Sequence, residues 1–531
     1  MIQIGDMEES VLNTSKQIVI ACAGLGTRMQ EINTDIHKGL LPFENKPILW
    51  HLVFSLPIHF EIIILLGHKG DLIRDFLLLS FPEKRFQFIE VLDYSSSDSG
   101  TAISLLFAEP YVISDFWYVP CDGIFLEGLS KILENSPIED TIYVAPLTSV
   151  TTPSEYTIIN IEDGAAESIY YKPKEIEDYD SCTVFTGLMY IKDSNDFFKR
   201  LKVFENREFV TSLPRGILCR QVYDWIDLGS PKEFIRNTSK SSKFDFSKPH
   251  EFTYILPERI IKYFADSEEA SKKLIKPSMI PNAYPSEVRH KGQFLSYRKV
   301  GGVTLYHVIN PDIFLHLLEW LSETLWMQSS ELIEGDLEAF YIGKTKKRID
   351  QINHKLPYDF DSNYNLFGKV QITPRSILNK IDWHVIRQHS VTVNIHGDLQ
   401  FDNILIESDG SFRLIDWRTT FGSQNLLGDL YYDLAKLLGG IHMNYLKIKE
   451  GDFDFSFSDG LIEYSIPSVE EPSALENLLF DFAKAHYLNI DKINYLVAII
   501  YLNMAPMHNR PFSDLLFFHA MKLLSHYENE N

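Results

Sequence analysis

The sequence predicts two α/β bodies in tandem, on three observations. Short apolar runs that end in glycine or a polar turn recur through the first 237 residues, with segments of helical length between them. From Thr238 to Glu251 the composition turns polar, serine-rich and lysine-rich ("TSKSSKFDFSKPHE"), which marks a junction. Beyond it, short strand candidates give way to long amphipathic patterns and a largely helical end. A chain of 531 residues exceeds the size at which one core keeps growing, so the expected division is a first domain over 1–237, a linker over 238–250 and a second domain over 251–531.

The elements follow in order. "QIVIACAG", "HFEIIILLGH" and "DFWYVPCD" are continuous apolar runs of strand length, the pattern of a mostly parallel sheet with helices on its faces. After the junction, "FTYIL" and "RIIKYF" read as strands and "PDIFLHLLEWLSETLWMQ" as an amphipathic helix. "VNIHGDLQFDNILIESDGSFRLIDWR", ending at Arg418, sets polar residues between further apolar runs that read as strands. The aromatic residues near the end (Tyr487, Tyr495, Tyr501, Phe512, Phe517, Phe518) have a spacing that reads more readily as core than as a cage for a quaternary ammonium. No repeat of domain-building length and no low-complexity tract is present.

Charge and cysteine usage bound the function. With 73 acidic against 50 basic residues the net charge is -23, which opposes binding to nucleic acid or an anionic membrane surface. Cys22, Cys121, Cys182 and Cys219 show neither pairing nor metal spacing, as expected in a reducing cytosol without disulfides. The acidic "MIQIGDMEESVLNTSK" is no secretory signal, and no run approaches the roughly 18 apolar residues of a membrane span. The expectation is a soluble cytoplasmic protein acting on small molecules, of undetermined oligomeric state.

In "ACAGLGTRMQEINTDIHKGLL" a strand runs into Gly24 and Gly26 at an expected turn into a helix. There the missing side chains admit an anion to the backbone N–H groups and the helix dipole favours it. Two cations near one such loop, Arg28 and Lys38, are tolerable when a polyphosphate lies between them.

The run G-L-G-T-R, nine residues, then K-G-L-L-P-F-E-N-K-P resembles the signature of the nucleotidyltransferases that couple an NTP to a sugar phosphate or related phosphorylated alcohol. "SGTAISLL", "YVPCDGIF", "YYKPKE", "TGLMYI" and "WIDLGSPKEF" continue it in the family's order over roughly residues 17–237. The resemblance implies a Rossmann-like α/β domain. Arg28 would stabilise the departing pyrophosphate and Lys38 the reacting phosphate. Gly24, Gly26 and Gly100 would contact the nucleotide, Lys172 would bind the acceptor phosphate, and Asp122 and Asp227 would hold Mg²⁺. The family usually has glutamate where this chain has Tyr171.

In the second domain His396, Asp398, Asn403 and Asp416 follow H-x-D-x-x-x-x-N and then a strand ending in "IDW". Phosphoryl transfer to a hydroxyl needs a carboxylate near the acceptor oxygen, and an amide plus a carboxylate on the ATP-bound metal. With "GDLYYDLAKLL" the pattern resembles the aminoglycoside phosphotransferase and choline kinase family, and so implies a two-lobed protein-kinase-like α+β domain. The resemblance makes Asp398 the catalytic base and Asn403 and Asp416 magnesium ligands. His396 would shape the loop, Asp433 would support it, and Lys262 would contact the ATP phosphates. No glycine-rich loop precedes Lys262, where "SKSSKFDFSKPHEF" stands instead, and "YRKVGGVTLYH" resembles the segment meeting adenine.

Together the two resemblances imply a bifunctional enzyme using Mg²⁺, ATP and a second NTP. It would phosphorylate a small alcohol, amino alcohol or sugar and then join the product to a nucleotide, a chemistry that feeds surface polysaccharide or lipooligosaccharide. Choline or ethanolamine with CTP, and one half serving as a degenerate regulatory or binding module, are the alternatives.

Overall fold

The structure, a computed structural model, describes residues 16–92, 94–95, 100–126, 129–175, 181–203, 209–238, 251–329 and 334–528. Residues 239–250, most of the expected linker and of the phosphate-covering segment, lie outside the described residues, as does Ser99.

Nine strands form the first sheet. They are β1 (Gln17–Cys22), β2 (Glu61–Leu66), β3 (Phe86–Glu90), β4 (Phe116–Pro120), β5 (Thr141–Pro146), β6 (Thr157–Glu162), β7 (Ala165–Tyr171), β8 (Cys182–Ile191) and β9 (Leu218–Gln221), in the spatial order β3-β2-β1-β4-β8-β5-β9-β7-β6. The contiguous apolar runs become the parallel strands β1, β2 and β4, with Val19 opposite Ile63 and Tyr118. β8 runs against β4, β5 and β6, and β7 against β9 and β6, so seven strands share one direction and two oppose it. The sheet is thus parallel at one end and mixed at the other. Helix α1 (Gly70–Ser80) covers part of one face, burying Leu72, Ile73, Phe76 and Leu77 at helical spacing.

After the junction, β10 (Glu251–Ile255), β11 (Arg259–Phe264), β12 (Arg289–Lys291) and β13 (Phe294–Arg298) form an antiparallel sheet in the order β10-β11-β13-β12. Both its faces are covered. Ile261, Tyr263 and Phe294 point into the core of the first domain, where Phe294 and Tyr254 lie 5.9 and 5.6 Å from Phe76 of α1. Phe264, Leu295 and Tyr297 enter the core of the second half. The period-2 alternation of a strand therefore ties the two halves together. Tyr254 and Tyr263 fasten the junction by donating to the carbonyls of Leu40 (2.7 Å) and Asp35 (2.9 Å).

The remainder is mainly helical, with α2 (Lys344–Lys355), α3 (Leu430–His442), α4 (Ile490–Met504) and α5 (Phe512–Ser525). α3 is apolar nearly all round, as a central helix must be. Tyr501, Phe512, Phe517 and Phe518 are buried core residues, whereas Tyr487 is exposed. A hairpin of β14 (Ile404–Glu407) and β15 (Phe412–Leu414) delivers the two polar clusters of the "IHGDLQFDN" and "IDW" segments, and Gly302–Thr304 pairs along β14. Among the described residues no helix is long and apolar enough to cross a membrane. Their cysteines, Cys22, Cys121, Cys182 and Cys219, are free thiols.

Candidate active sites

The first cavity, of about 530 Å³, opens over the ends of β1 and β4 and is lined by Gly24, Gly26, Arg28, Lys38, Gly100, Asp122, Lys172 and Asp227. All eight N-terminal residues singled out in the sequence meet there. Gly26 takes a left-handed conformation (φ 61°) and leads into a short 3-10 turn, Thr27–Glu31, rather than an α-helix. The expected contribution of a helix dipole to anion binding is therefore withdrawn, since five residues of 3-10 turn do not sum to a macrodipole. The open backbone at Gly24, whose Cβ position has no neighbour within 4 Å, remains.

Asp122 follows β4, and Asp227 ends the strand Trp225–Asp227, which pairs antiparallel with Gly123–Phe125 so that Asp227 faces Gly123. This short hairpin brings the two carboxylates together. A Cβ on Gly229 would lie 2.5 Å from Asp122 Oδ2 and 3.3 Å from Asp227 Oδ1, so only glycine lets them converge. Lys38 Nζ donates to Asp122 Oδ2 at 2.5 Å. Burial opposes both charges, but their attraction prevails, holding the Lys38 ammonium above its ordinary range and the Asp122 carboxyl below its own. Asp227 goes the other way, pushed up to about 6 by burial and the neighbouring Asp122.

Tyr156, which the sequence reading missed, donates from its hydroxyl to Asp227 Oδ2 (2.6 Å) and accepts at its carbonyl from the Lys172 N–H (3.2 Å). Lys172 itself is exposed in a left-handed conformation (φ 45°), its ammonium 4.9 Å from the Tyr171 ring. Two hard oxygen donors in a cavity that also holds cations suit Mg²⁺, which keeps one or two carboxylates and takes its other ligands from water and phosphate. Among the described residues no group of three or more His, Cys, Asp or Glu could hold a metal by itself.

The second cavity, of about 410 Å³, lies beneath the four-stranded sheet and is lined by Lys262, Asp398, Asn403 and Asp416. Lys262, on β11, pairs with Asp416. Glu268 pairs with Lys272, and Glu269 accepts from Thr419 (2.6 Å). Asn403 Nδ2 donates to the Asp398 carbonyl (2.8 Å), which leaves the amide oxygen as a donor atom for a cation beside Asp416.

His396 and Asp433 stand behind this cavity, fully buried. The Asp433 carboxylate accepts from the N–H groups of His396 (2.9 Å) and Gly397 (2.8 Å) and from Trp326 Nε1 (3.2 Å). The His396 ring bridges the Asp398 N–H (3.2 Å) and the Ile415 carbonyl (2.8 Å), joining the loop to the strand before Asp416. Burial and the nearby Lys276 pull its imidazole down to about 3, so it stays neutral. Burial also works against the charge on Asp398. Lys436, 2.8 Å away, and Arg418 outweigh it and hold the carboxyl well below its usual range. Lys436 was another residue the sequence reading missed, although it lies one helical turn after Asp433 on α3.

No family model matches the chain. It is 29% identical over 178 residues to the probable glucose-1-phosphate cytidylyltransferase of Bacillus subtilis, over 29% of this chain and 68% of that protein. It is 30% identical over 161 residues to the bifunctional protein GlmU of Methanococcus vannielii, over 30% of this chain and 36% of that one, so the chain spans only about a third of GlmU. Among solved structures, a putative glucose-1-phosphate thymidylyltransferase from Bacillus anthracis aligns over 44% of this chain and 98% of its own at 20% identity, with a TM-score of 0.35. The inositol-1-phosphate CTP transferase from T. maritima aligns over 42% and 92% at 15% identity, with a TM-score of 0.35. The strand order and cavity make the N-terminal region an α/β domain, and its sequence is similar to sugar-phosphate nucleotidyltransferases.

Proposed function

We propose that the chain is a bifunctional cytoplasmic enzyme whose C-terminal, protein-kinase-like half phosphorylates a small alcohol and whose N-terminal half couples the resulting phosphate to a nucleotide. The observation that carries this reading is that each half sets an oxygen-donor pair beside cations in one cavity, Asp122 and Asp227 with Lys38, and Asn403 and Asp416 with Lys262. The domain limits 1–237 and 251–531, and a place in surface polysaccharide or lipooligosaccharide synthesis, belong to the same proposal.

Mg²⁺ held by each donor pair would neutralise phosphate charge and align the reacting groups. In the C-terminal half Lys262 binds the triphosphate while the acceptor hydroxyl lies against Asp398. Its oxygen bonds to the γ-phosphorus, the bond to the β-phosphate oxygen breaks, ADP leaves and the hydroxyl proton passes to Asp398. A carboxylate held this acidic orients the hydroxyl and takes the proton late, as suits a loose transition state. In the N-terminal half Lys172 binds the acceptor phosphate, an oxygen of which attacks the α-phosphorus of the NTP. The bond from the α-phosphorus to the bridging oxygen breaks as Lys38 contacts the reacting phosphate and Arg28 stabilises the departing pyrophosphate, and the glycines at 24, 26 and 100 admit the nucleotide.

The name of one relative, a probable glucose-1-phosphate cytidylyltransferase, favours a sugar phosphate as the N-terminal acceptor. A test is to supply ATP, a second NTP, Mg²⁺ and a panel of acceptors with and without phosphate. Pyrophosphate release that depends on the acceptor is expected, and its absence with every pre-phosphorylated acceptor would refute the nucleotidyl step.

A further inference from the structure

Beyond Asp398 the second cavity is lined by cations that the nucleotide does not account for. Lys344 and Arg348, one turn apart on α2, face the same space as Arg418 and Lys436. Lys436 is matched by Asp398 and Lys262 by Asp416. Of the remaining cations Lys449 is matched by Asp402, whereas three lean on rings and neutral oxygens. Lys344 lies over the Phe340 ring (4.7 Å), Arg348 donates to Gln351 Oε1 (2.8 Å), and Arg418 donates from Nε to the Gly397 carbonyl (3.1 Å). None of the three forms an ion pair with a carboxylate at contact distance among the described residues, and Arg418 is attracted to Asp398 and Glu269 from further away.

Gathering like charges in a half-buried cavity costs free energy that an anion would return. Groups around the cluster register its potential. Burial and the neighbouring Arg418 and Lys436 pull the Lys344 ammonium down to about 8. Burial would raise the Tyr432 hydroxyl, but Lys344, Lys436 and Arg418 overcome it and lower it. Such a pocket repels choline or ethanolamine, and of the terminal aromatic residues Tyr495, Tyr501, Phe512, Phe517 and Phe518 are core rather than a cage for a quaternary ammonium.

Resting on the phosphotransferase reading, we infer that the alcohol phosphorylated by the C-terminal half carries an anionic group, a carboxylate or a phosphate, which Lys344, Arg348 and Arg418 bind while its hydroxyl meets Asp398. Titration calorimetry on the full chain saturated with MgADP tests this with four probes: D-glycerate, glycerol 3-phosphate, glycerol and choline. At least one of the two anions is expected to bind and the other two probes not to. Glycerate alone identifies a carboxylate acceptor, and glycerol 3-phosphate alone a phosphate. K344M/R348M is expected to weaken the anion at least tenfold with MgADP affinity unchanged, and since the N-terminal cavity is untouched, the difference reports on this one.

Glycerol or choline binding as well as the anions overturns the inference. So does an anion affinity that the double substitution leaves intact, or binding of neither anion. Failure of the underlying reading has a separate signature: Lys262→Met would leave the number of MgADP sites unchanged instead of removing one.

Discussion

Lys262 and Tyr263 are neighbours on β11 and serve different cavities. The ammonium of Lys262 pairs with Asp416, whereas the hydroxyl of Tyr263 donates to the carbonyl of Asp35, three residues before Lys38. One strand therefore lines the second cavity with one face and braces the lysine loop of the first cavity with the other.

The brace is measurable. Tyr254→Phe leaves the buried carbonyl of Leu40 without its 2.7 Å donor, which should cost about 1 kcal/mol in urea unfolding. Amides 35–41 should also exchange faster with deuterium than in the unsubstituted chain. Unaltered exchange in that loop would mean the two halves touch without bracing it.

Asp227 makes the first site pH-sensitive. Its carboxyl titrates at about 6 in the folded chain, above the ordinary value of 3.8. A raised folded value means that the protonated form is the one folding favours. Its contribution is complete below about pH 4 and disappears as pH rises through about 6. Without Mg²⁺, Asp227→Asn should therefore stabilise the chain above pH 6, by on the order of 2 kcal/mol, with little effect at pH 4. Thermal unfolding across that range reads the difference, and a destabilised variant at pH 8 would contradict it.

Lys436 is the nearest of the cations that keep Asp398 acidic. Replacing it with methionine removes the 2.8 Å cation and leaves Arg418 to oppose burial with less help, so the acid limb of the phosphorylation rate should move to higher pH. The alkaline limb and pyrophosphate release should be untouched. An unmoved acid limb would reduce Lys436 to a packing residue.

A buried ion pair anchors the helical body. Lys492 and Asp429 lie 3.1 Å apart with side chains 1% and 0% exposed, and Asp429 also accepts from Tyr341 (3.1 Å). Removing the acid alone, as Asp429→Ala, strands a buried ammonium and should cost about 3–5 kcal/mol. Asp429→Ala with Lys492→Met should cost less than the sum of the single changes, measurable as a double-mutant cycle.

The residues legible in the sequence share a cause. Arg28, Lys38, Asp122, Asp398, Asn403 and Asp416 sit on tight loops or strand ends, where a few residues of spacing fix the geometry, so linear pattern and cavity coincide. The short strands at 251–255 and 259–264 and the core role of Tyr501 and Phe518 were legible for the same local reason. What escaped was long-range. Lys344 and Arg348 reach Asp398 from a helix some fifty residues upstream, and nothing in their i, i+4 spacing separates a cavity wall from a solvated face. Tyr156 reaches Asp227 across 71 residues. The doubly covered sheet escaped because a four-stranded antiparallel sheet is expected to leave one face to solvent, whereas here α1 covers it.

The central claim is that two separate phosphorus chemistries reside in one chain, and paired substitutions test it most directly. Asp398→Asn and Asp122→Asn are each assayed for ATP-dependent phosphorylation and for pyrophosphate release from a pre-phosphorylated acceptor. Asp398→Asn should lose the first reaction by about 10²–10⁴-fold and keep the second, and Asp122→Asn should do the reverse. Phosphorylation at the unsubstituted rate in Asp398→Asn, or loss of both reactions from either single change, would contradict the account.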